Sequence, residues 1–178
     1  MKKFLKITGI TVLVLLLVYV ILCAAAPPFA IEKSIVINAK DSLIFSKFGD
    51  FKQWESWSPW NERDPGIPAS SKYSGTPYTK GHQVEWKSKK EGSGKQVIEE
   101  VKPYSYIKTA LYFQPNNKPG YSEFKLAPEG TGTKVTWNMK GSMPFYIRGL
   151  MMVMGVNKML GKIFDKGLSN LKSECEKK

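Results

Sequence analysis

The sequence predicts an α+β domain behind one N-terminal membrane helix, with an antiparallel sheet of about seven strands wrapped around a long C-terminal helix. Three observations carry this reading. An uncharged apolar run fills residues 10–26, turn residues cut residues 70–142 into strand-length pieces, and after Pro144 apolar residues recur at three- and four-residue steps. The 178 residues suffice for one core once the anchor is set aside, and are too few for two.

The run from Ile10 to Ala26 carries no charge, and its apolar character reaches back to Phe4. At about 1.5 Å per residue these stretches span roughly 26 Å and 34 Å, which brackets a hydrocarbon core of roughly 30 Å. Lys2, Lys3 and Lys6 precede the run and no Lys or Arg follows it until Lys33. The positive-inside bias therefore keeps the N-terminus cytoplasmic and places the rest of the chain outside, as a single-pass protein. A cleaved secretory signal is the alternative, since the start is basic and Ala24 to Ala26 resemble a cleavage site. The length of the run and Pro27 directly after the small pair Ala24 and Ala26 count against it. A lipoprotein is disfavoured by bulky Leu22 before Cys23. Pro27-Pro28 cannot continue the helix, so residues 1–28 are expected to be anchor and spacer and residues 29–178 the domain.

Ile31 to Ile37 alternates in β-branched residues and reads as a first strand. Asp41 or Ser42 can then cap a short helix with Leu43, Ile44, Phe45 and Phe48 on one buried face, stopped by Gly49-Asp50. Trp54 and Trp57 fall on one face of a helical turn that Pro59 ends. With Trp60 they form an aromatic plug, placed at the mouth of any cavity beneath.

The strands after it are expected near 70–73, 82–89, 95–102, 106–113, 121–126 and 133–141, divided by turns that include Gly75, Gly92-Ser-Gly94, Asn116-Asn-Lys-Pro119-Gly120 and Gly130-Thr-Gly132. Alternation points Val84 and Trp86 inward, with Val97 and Val101 on one side of the next strand. Ile107, Leu111 and Phe113, then Phe124 and Leu126, then Val135, Trp137 and Met139 complete the inner face. The last pattern runs through Ile147, Leu150, Met151 and Met154 to Leu160, Ile163, Phe164, Leu168 and Leu171. That is one helix of about thirty residues, weakened by four glycines at about 1 kcal/mol each and open to a kink or break near Gly155.

A long helix gripped by a curved sheet leaves a wedge-shaped space. Met143, Met151, Met152, Met154 and Met159 lie in or just before the first half of that helix, where flexible thioethers suit an adaptable apolar wall or simply fill an irregular core. Catalytic chemistry has little to work with. His82 is the only histidine and Cys23 and Cys175 the only cysteines, so no metal centre and no cofactor are expected. There is no G-x-S-x-G elbow, and His82 after Gly81 reads as an exposed or edge residue at a turn. His82 and Glu85 are the least poor acid–base candidates. The formal charge of +12 falls to +9 without the three N-terminal lysines and is spread along the domain. It can solubilise the surface or draw it to anionic lipid. No nucleic-acid motif accompanies it, so nucleic acid is not an expected partner.

Several pieces of the chain carry a resemblance. Glu32-Lys-Ser-Ile-Val-Ile-Asn-Ala39 is followed by a helix, then come Trp54-x-x-Trp57-Ser-Pro59-Trp60, Asp64-Pro65 and Gly81 with Trp86 after it. Gly132-Thr-x-Val-Thr-Trp137 and a terminal Gly167-Leu-x-x-Leu-Lys172 complete the set. In this order they resemble the SRPBCC superfamily, the START-like helix-grip fold, and within it the polyketide cyclase/dehydratase-like group. The membrane-anchored form is similar to envelope members of bacteria. The resemblance implies a hydrophobic or amphiphilic small molecule, such as a lipid, held between sheet and C-terminal helix. Here the contacts would come from Trp86, Leu111, Phe124, Trp137, Met151 and Met154, with Trp54, Trp57 and Trp60 at the mouth. A cyclase or dehydratase acting on a hydrophobic substrate is a second reading, and a scaffold or partner-binding domain with a filled core a third.

Overall fold

The computed structural model describes residues 2–27, 29–114, 118–141 and 144–177. Helix α1, Lys2–Ala25, is one continuous exposed helix, long and apolar enough to cross a membrane. Strand β1, Phe29–Ile37, follows, and then α2, Asp41–Gly49. A 3-10 turn at Phe51–Ser56 leads into two short helices, α3 at Pro59–Arg63 and α4 at Gly66–Ser70. Six strands come next: β2 (Lys72–Ser74), β3 (Gln83–Trp86), β4 (Gly94–Lys102), β5 (Tyr106–Phe113), β6 (Gly120–Glu129) and β7 (Gly132–Gly141). Helices α5, Phe145–Val153, and α6, Val156–Glu176, close the chain. The predicted turn at Asn116-Asn117 and the predicted Met143 lie outside the described residues.

The seven strands form one antiparallel sheet in the order β1-β7-β6-β5-β4-β3-β2. The meander β2 to β7 thus returns to the first strand, Phe29 opposite Gly141 and Ile37 opposite Thr133. This is an α+β helix-grip fold, with α6 lying on the concave face. Lys33 of β1 reaches Asp165 of α6 at 2.8 Å. The Asn170 amide of α6 donates to the Trp57 carbonyl at 3.2 Å and to Glu62 at 2.7 Å.

The core sits where α2, the 3-10 turn and α6 meet the middle strands. Phe124 is stacked between Phe48, with ring centroids 4.8 Å apart, and Trp137, at 5.0 Å. Trp137 in turn stacks on Phe164 of α6 at 4.0 Å. The indole N–H groups buried with them are bonded: Trp54 to the Phe48 carbonyl at 3.1 Å, Trp57 to that of Lys47 at 2.8 Å, and Trp137 to the Ser122 hydroxyl at 2.8 Å.

Several local expectations are corrected. Lys40, not Asp41 or Ser42, precedes the first turn of α2 and makes no side-chain cap, and Leu43 is exposed while Ile44, Phe45 and Phe48 are buried. Residue 43 sits about 100° around the helix from residue 44, outside the arc that the others share. Pro59 opens α3 instead of only ending a turn, because the first helical position needs no N–H.

In β4 the register slips between Ile98 and Glu100. That bulge places Gln96 and Ile98 inward before it and Val101 inward after it, so Val97 is not on the side of Val101. The break expected near Gly155 is found there and makes the long C-terminal pattern two helices, since the φ of 64° at Gly155 belongs to the left-handed region that glycine occupies without strain.

Candidate functional site

Between the sheet and α6 lies a cavity of about 320 Å³ with a predominantly apolar lining. The alternation of the inner strands supplies one side: Val84 and Trp86 from β3, Leu111 and Phe113 from β5, Trp137 and Met139 from β7. Leu160 and Phe164, one helical turn apart on α6, form the opposite side. The 3-10 turn and α3 bring Phe51, Trp54 and Trp60, and Phe29 of β1 closes the end nearest α1. Such a lining excludes water and holds a ligand mainly by apolar burial, at roughly 25 cal/mol per Å².

A few polar groups interrupt it. Gln96 is buried and donates through Nε2 to the Thr109 hydroxyl at 2.8 Å. The Ser122 hydroxyl carries the Trp137 indole bond from below. Tyr73 donates to Glu55 at 2.7 Å, and burial together with that bond pushes its phenol up to about 12, so it remains a neutral donor. Glu91, the one carboxylate among the described lining residues, is paired with Arg63 at 3.0 Å.

The rim between α3 and α4 is latched by Asp64. Its carboxylate accepts from the Ser88 hydroxyl at 2.5 Å and from the Gly66 N–H at 2.9 Å, and these two bonds hold it below the ordinary carboxylate range. The Asp64-Pro65 pair therefore ties the aromatic rim to the chain that follows β3.

Of the residues picked from sequence, Trp86, Leu111 and Trp137 line the cavity, and Trp54 and Trp60 stand on its helical side. Trp57 is not at the mouth. It is buried behind them, with ring centroids 5.9 Å from Trp137 and 4.8 Å from Trp54. Phe124 lies under the lining, fully enclosed by Phe48 and Trp137. Met151 faces a second cavity, and Met154 is exposed beyond the end of α5. The break at Gly155 turns this segment away from the sheet, so the methionine contributed to the main cavity is Met139 of β7.

His82 is buried, not exposed or at an edge as its turn position suggested. Its ring stacks on Phe51 with centroids 5.1 Å apart. Nδ1 faces the Ser74 carbonyl at 3.1 Å and Nε2 accepts the Phe51 N–H at 3.2 Å, with the Asp50 carboxylate 3.4 Å from the same nitrogen. Glu85 points to the other face of the sheet, exposed, between Lys72 and Lys95 of the adjacent strands. The two candidate acid–base residues do not meet, and neither lines the cavity. Among the described residues no three His, Cys, Asp or Glu side chains gather as metal ligands.

Gln96 escapes the sequence because it shares the inner face with Gly94 and Ile98 ahead of the bulge, on the opposite side from the expected inward Val97. The sequence reading did place Leu160 and Phe164 on the apolar face of the helix, but not against a ligand space.

A sheet closed by a C-terminal helix over an apolar cavity defines a START-like, SRPBCC-type protein. The chain belongs to the family described as polyketide cyclase/dehydrase and lipid transport, which matches residues 28–176. Solved structures share the fold at low identity. Protein CV1439 from Chromobacterium violaceum is 16% identical with a TM-score of 0.60, over 85% of this chain and 100% of its own. Protein BH1534 from Bacillus halodurans is 13% identical with a TM-score of 0.61, over 85% and 99%. Aha1 from Colwellia psychrerythraea, solved as a dimer, is 12% identical with a TM-score of 0.56, over 81% and 96%. No curated protein matches the sequence.

Proposed function

We propose that this is a membrane-anchored binding protein for an apolar or amphiphilic small molecule of lipid type, held without chemical change between Trp86, Leu111 and Trp137 on the sheet and Leu160 and Phe164 on α6. The observation that carries the reading is the lining itself: an apolar cavity of about 320 Å³ whose single carboxylate is already paired with an arginine. In this reading residues 1–28 anchor the chain and residues 29–178 form the binding domain outside the cytoplasm. Anionic head groups would attract its lysines at roughly 1 kcal/mol each near the surface. The family description covers cyclases as well as lipid transport. Binding is favoured over catalysis because His82 and Glu85 are apart from the cavity and from each other.

The test uses the full chain in mild detergent: native mass spectrometry with lipid extraction, then titration of the tryptophan fluorescence with the released molecules and with an anilinonaphthalene probe. Saturable uptake at one site per chain is the expected result. An empty protein that takes up no apolar probe would reject binding in favour of a partner-binding scaffold.

A further inference from the structure

Helix α5 is built the wrong way round for a helix at the surface of a water-soluble domain. Tyr146, Leu150 and Val153 follow one another at four- and three-residue steps on its outer side, and Tyr146 and Val153 are 69% and 70% exposed. Phe145 and Met154 extend this apolar stripe at both ends, both exposed. A contiguous apolar surface of this kind marks a contact with something apolar.

Two observations identify the occupant. The first is continuity with α1. Helix α5 packs on the last turns of α1, where Gly149 is so close to Cys23 that an added Cβ would lie 3.0 Å from its Sγ, and the Tyr19 hydroxyl donates to the Tyr146 carbonyl. A helix held against the end of a membrane-crossing segment lies at the level of the bilayer surface. The second is charge. From Lys140, beside the anchor end of β1, to Phe164 the sequence has no Asp or Glu, while Lys140, Arg148, Lys158 and Lys162 fall within it. Exposed apolar side chains flanked by cations complement an anionic phospholipid surface.

The position of α5 also bears on the cavity. A second cavity of about 260 Å³ lies between the end of α1, at Ala26 and Pro27, and Met151, Met152 and Val156. It shares Phe29 and Gly141 with the main cavity, so the two adjoin at the end of the sheet nearest the anchor.

We infer that α5 is an interfacial helix that seats this end of the domain on the bilayer crossed by α1, and that the ligand passes between bilayer and main cavity through the vestibule between α1 and α5. The inference rests on the anchor and binding readings above. In it the methionines at 151 and 152 line the passage and not the resting site, and their flexible side chains suit a space that must open and close.

The test places the full chain in vesicles of phosphatidylcholine and phosphatidylglycerol. An environment-sensitive label is attached at Val153→Cys or, as a control, at Lys40→Cys, which lies beyond the far end of the nine-residue strand β1, about 30 Å away. Brominated acyl chains should quench the label at 153 and leave that at 40 unaffected. A label at 153 that stays in water, on a chain that survives alkaline extraction of the vesicles, overturns the docking while leaving the anchor intact. A label shielded from iodide but not reached by brominated lipid assigns the face to a protein partner and overturns it too. Release of the chain by alkali removes the anchor reading, and the docking with it.

A second measurement addresses the passage. The Tyr146→Glu, Val153→Glu double variant should take up a fluorescent phospholipid from vesicles about tenfold more slowly or worse, given the cost of carboxylates against acyl chains. Its uptake of the same lipid from detergent should be unchanged. Equal uptake from vesicles overturns the passage, and no uptake from either source by the unmodified chain rejects ligand binding itself.

Discussion

Gly167 of α6 lies against the indole of Trp137 so closely that a Cβ added to it would sit 2.9 Å from Cζ3 of that ring, and equally close to the ring of Pro59. The glycine is what lets the helix approach the sheet closely enough for Phe164, three residues earlier, to stack on Trp137 at 4.0 Å. The exchange Gly167→Ala therefore sets about 1 kcal/mol of helix propensity gained against overpacking of two rigid rings, typically a loss of 1–3 kcal/mol. A lower thermal midpoint is expected. An increase would show that the contact relaxes freely.

His82 gives a test that separates structure from catalysis. Replacing it by alanine leaves the buried Phe51 N–H and the Ser74 carbonyl without their partner, at a cost of about 1–3 kcal/mol. Chemical denaturation should show that loss, while the affinity of the folded fraction for an apolar probe should change little. A folded His82→Ala protein that loses a measurable turnover would restore the enzyme reading.

Leu111 lines the cavity from the middle of the sheet. Leu111→Trp places a larger side chain into that space, and a cavity of about 320 Å³ has little volume to spare for both it and a ligand. The dissociation constant for an apolar probe should rise about tenfold, which corresponds to about 1.4 kcal/mol. Unchanged affinity would place the ligand elsewhere.

Cys175, buried near the end of α6, has its thiol pushed up to about 11, chiefly by burial. Its folded value is above the unfolded one, so the contribution to stability is fully present below the unfolded value of about 9 and is lost as pH rises through about 11. At pH 8 iodoacetamide should modify Cys175 far more slowly in the folded than in the unfolded chain, as read by peptide mass spectrometry. Equal rates would show that the end of α6 frays.

How much was legible from sequence differs from element to element. Strand β5 is found where it was expected, at Tyr106–Phe113, because turn residues bound it on both sides. Strand β3 ends three residues earlier than its composition suggested. The Trp86 indole donates to the Gly92 carbonyl at 2.8 Å, and the Ser88 hydroxyl accepts the Glu91 N–H at 2.8 Å, so side chains turn the chain before Lys89. Trp86, Leu111 and Trp137 were recognisable as cavity-facing because each sits in a strand whose register follows simple alternation. Gln96 was not, because a bulge after Ile98 separates the faces of Val97 and Val101, whose shared side was expected to point inward.

Local sequence determined the element types, the seven-stranded meander with its C-terminal helix, and the N-terminal helix of membrane-crossing length, because turn chemistry and periodicity act over a few residues. Only the tertiary structure decided that His82 is buried under Phe51 and that the methionine-bearing piece beyond the break at Gly155 leaves the grip to pack on α1. Each of those depends on contacts between residues far apart in the chain, where burial and close approach outweigh local propensity and no periodic signal is written.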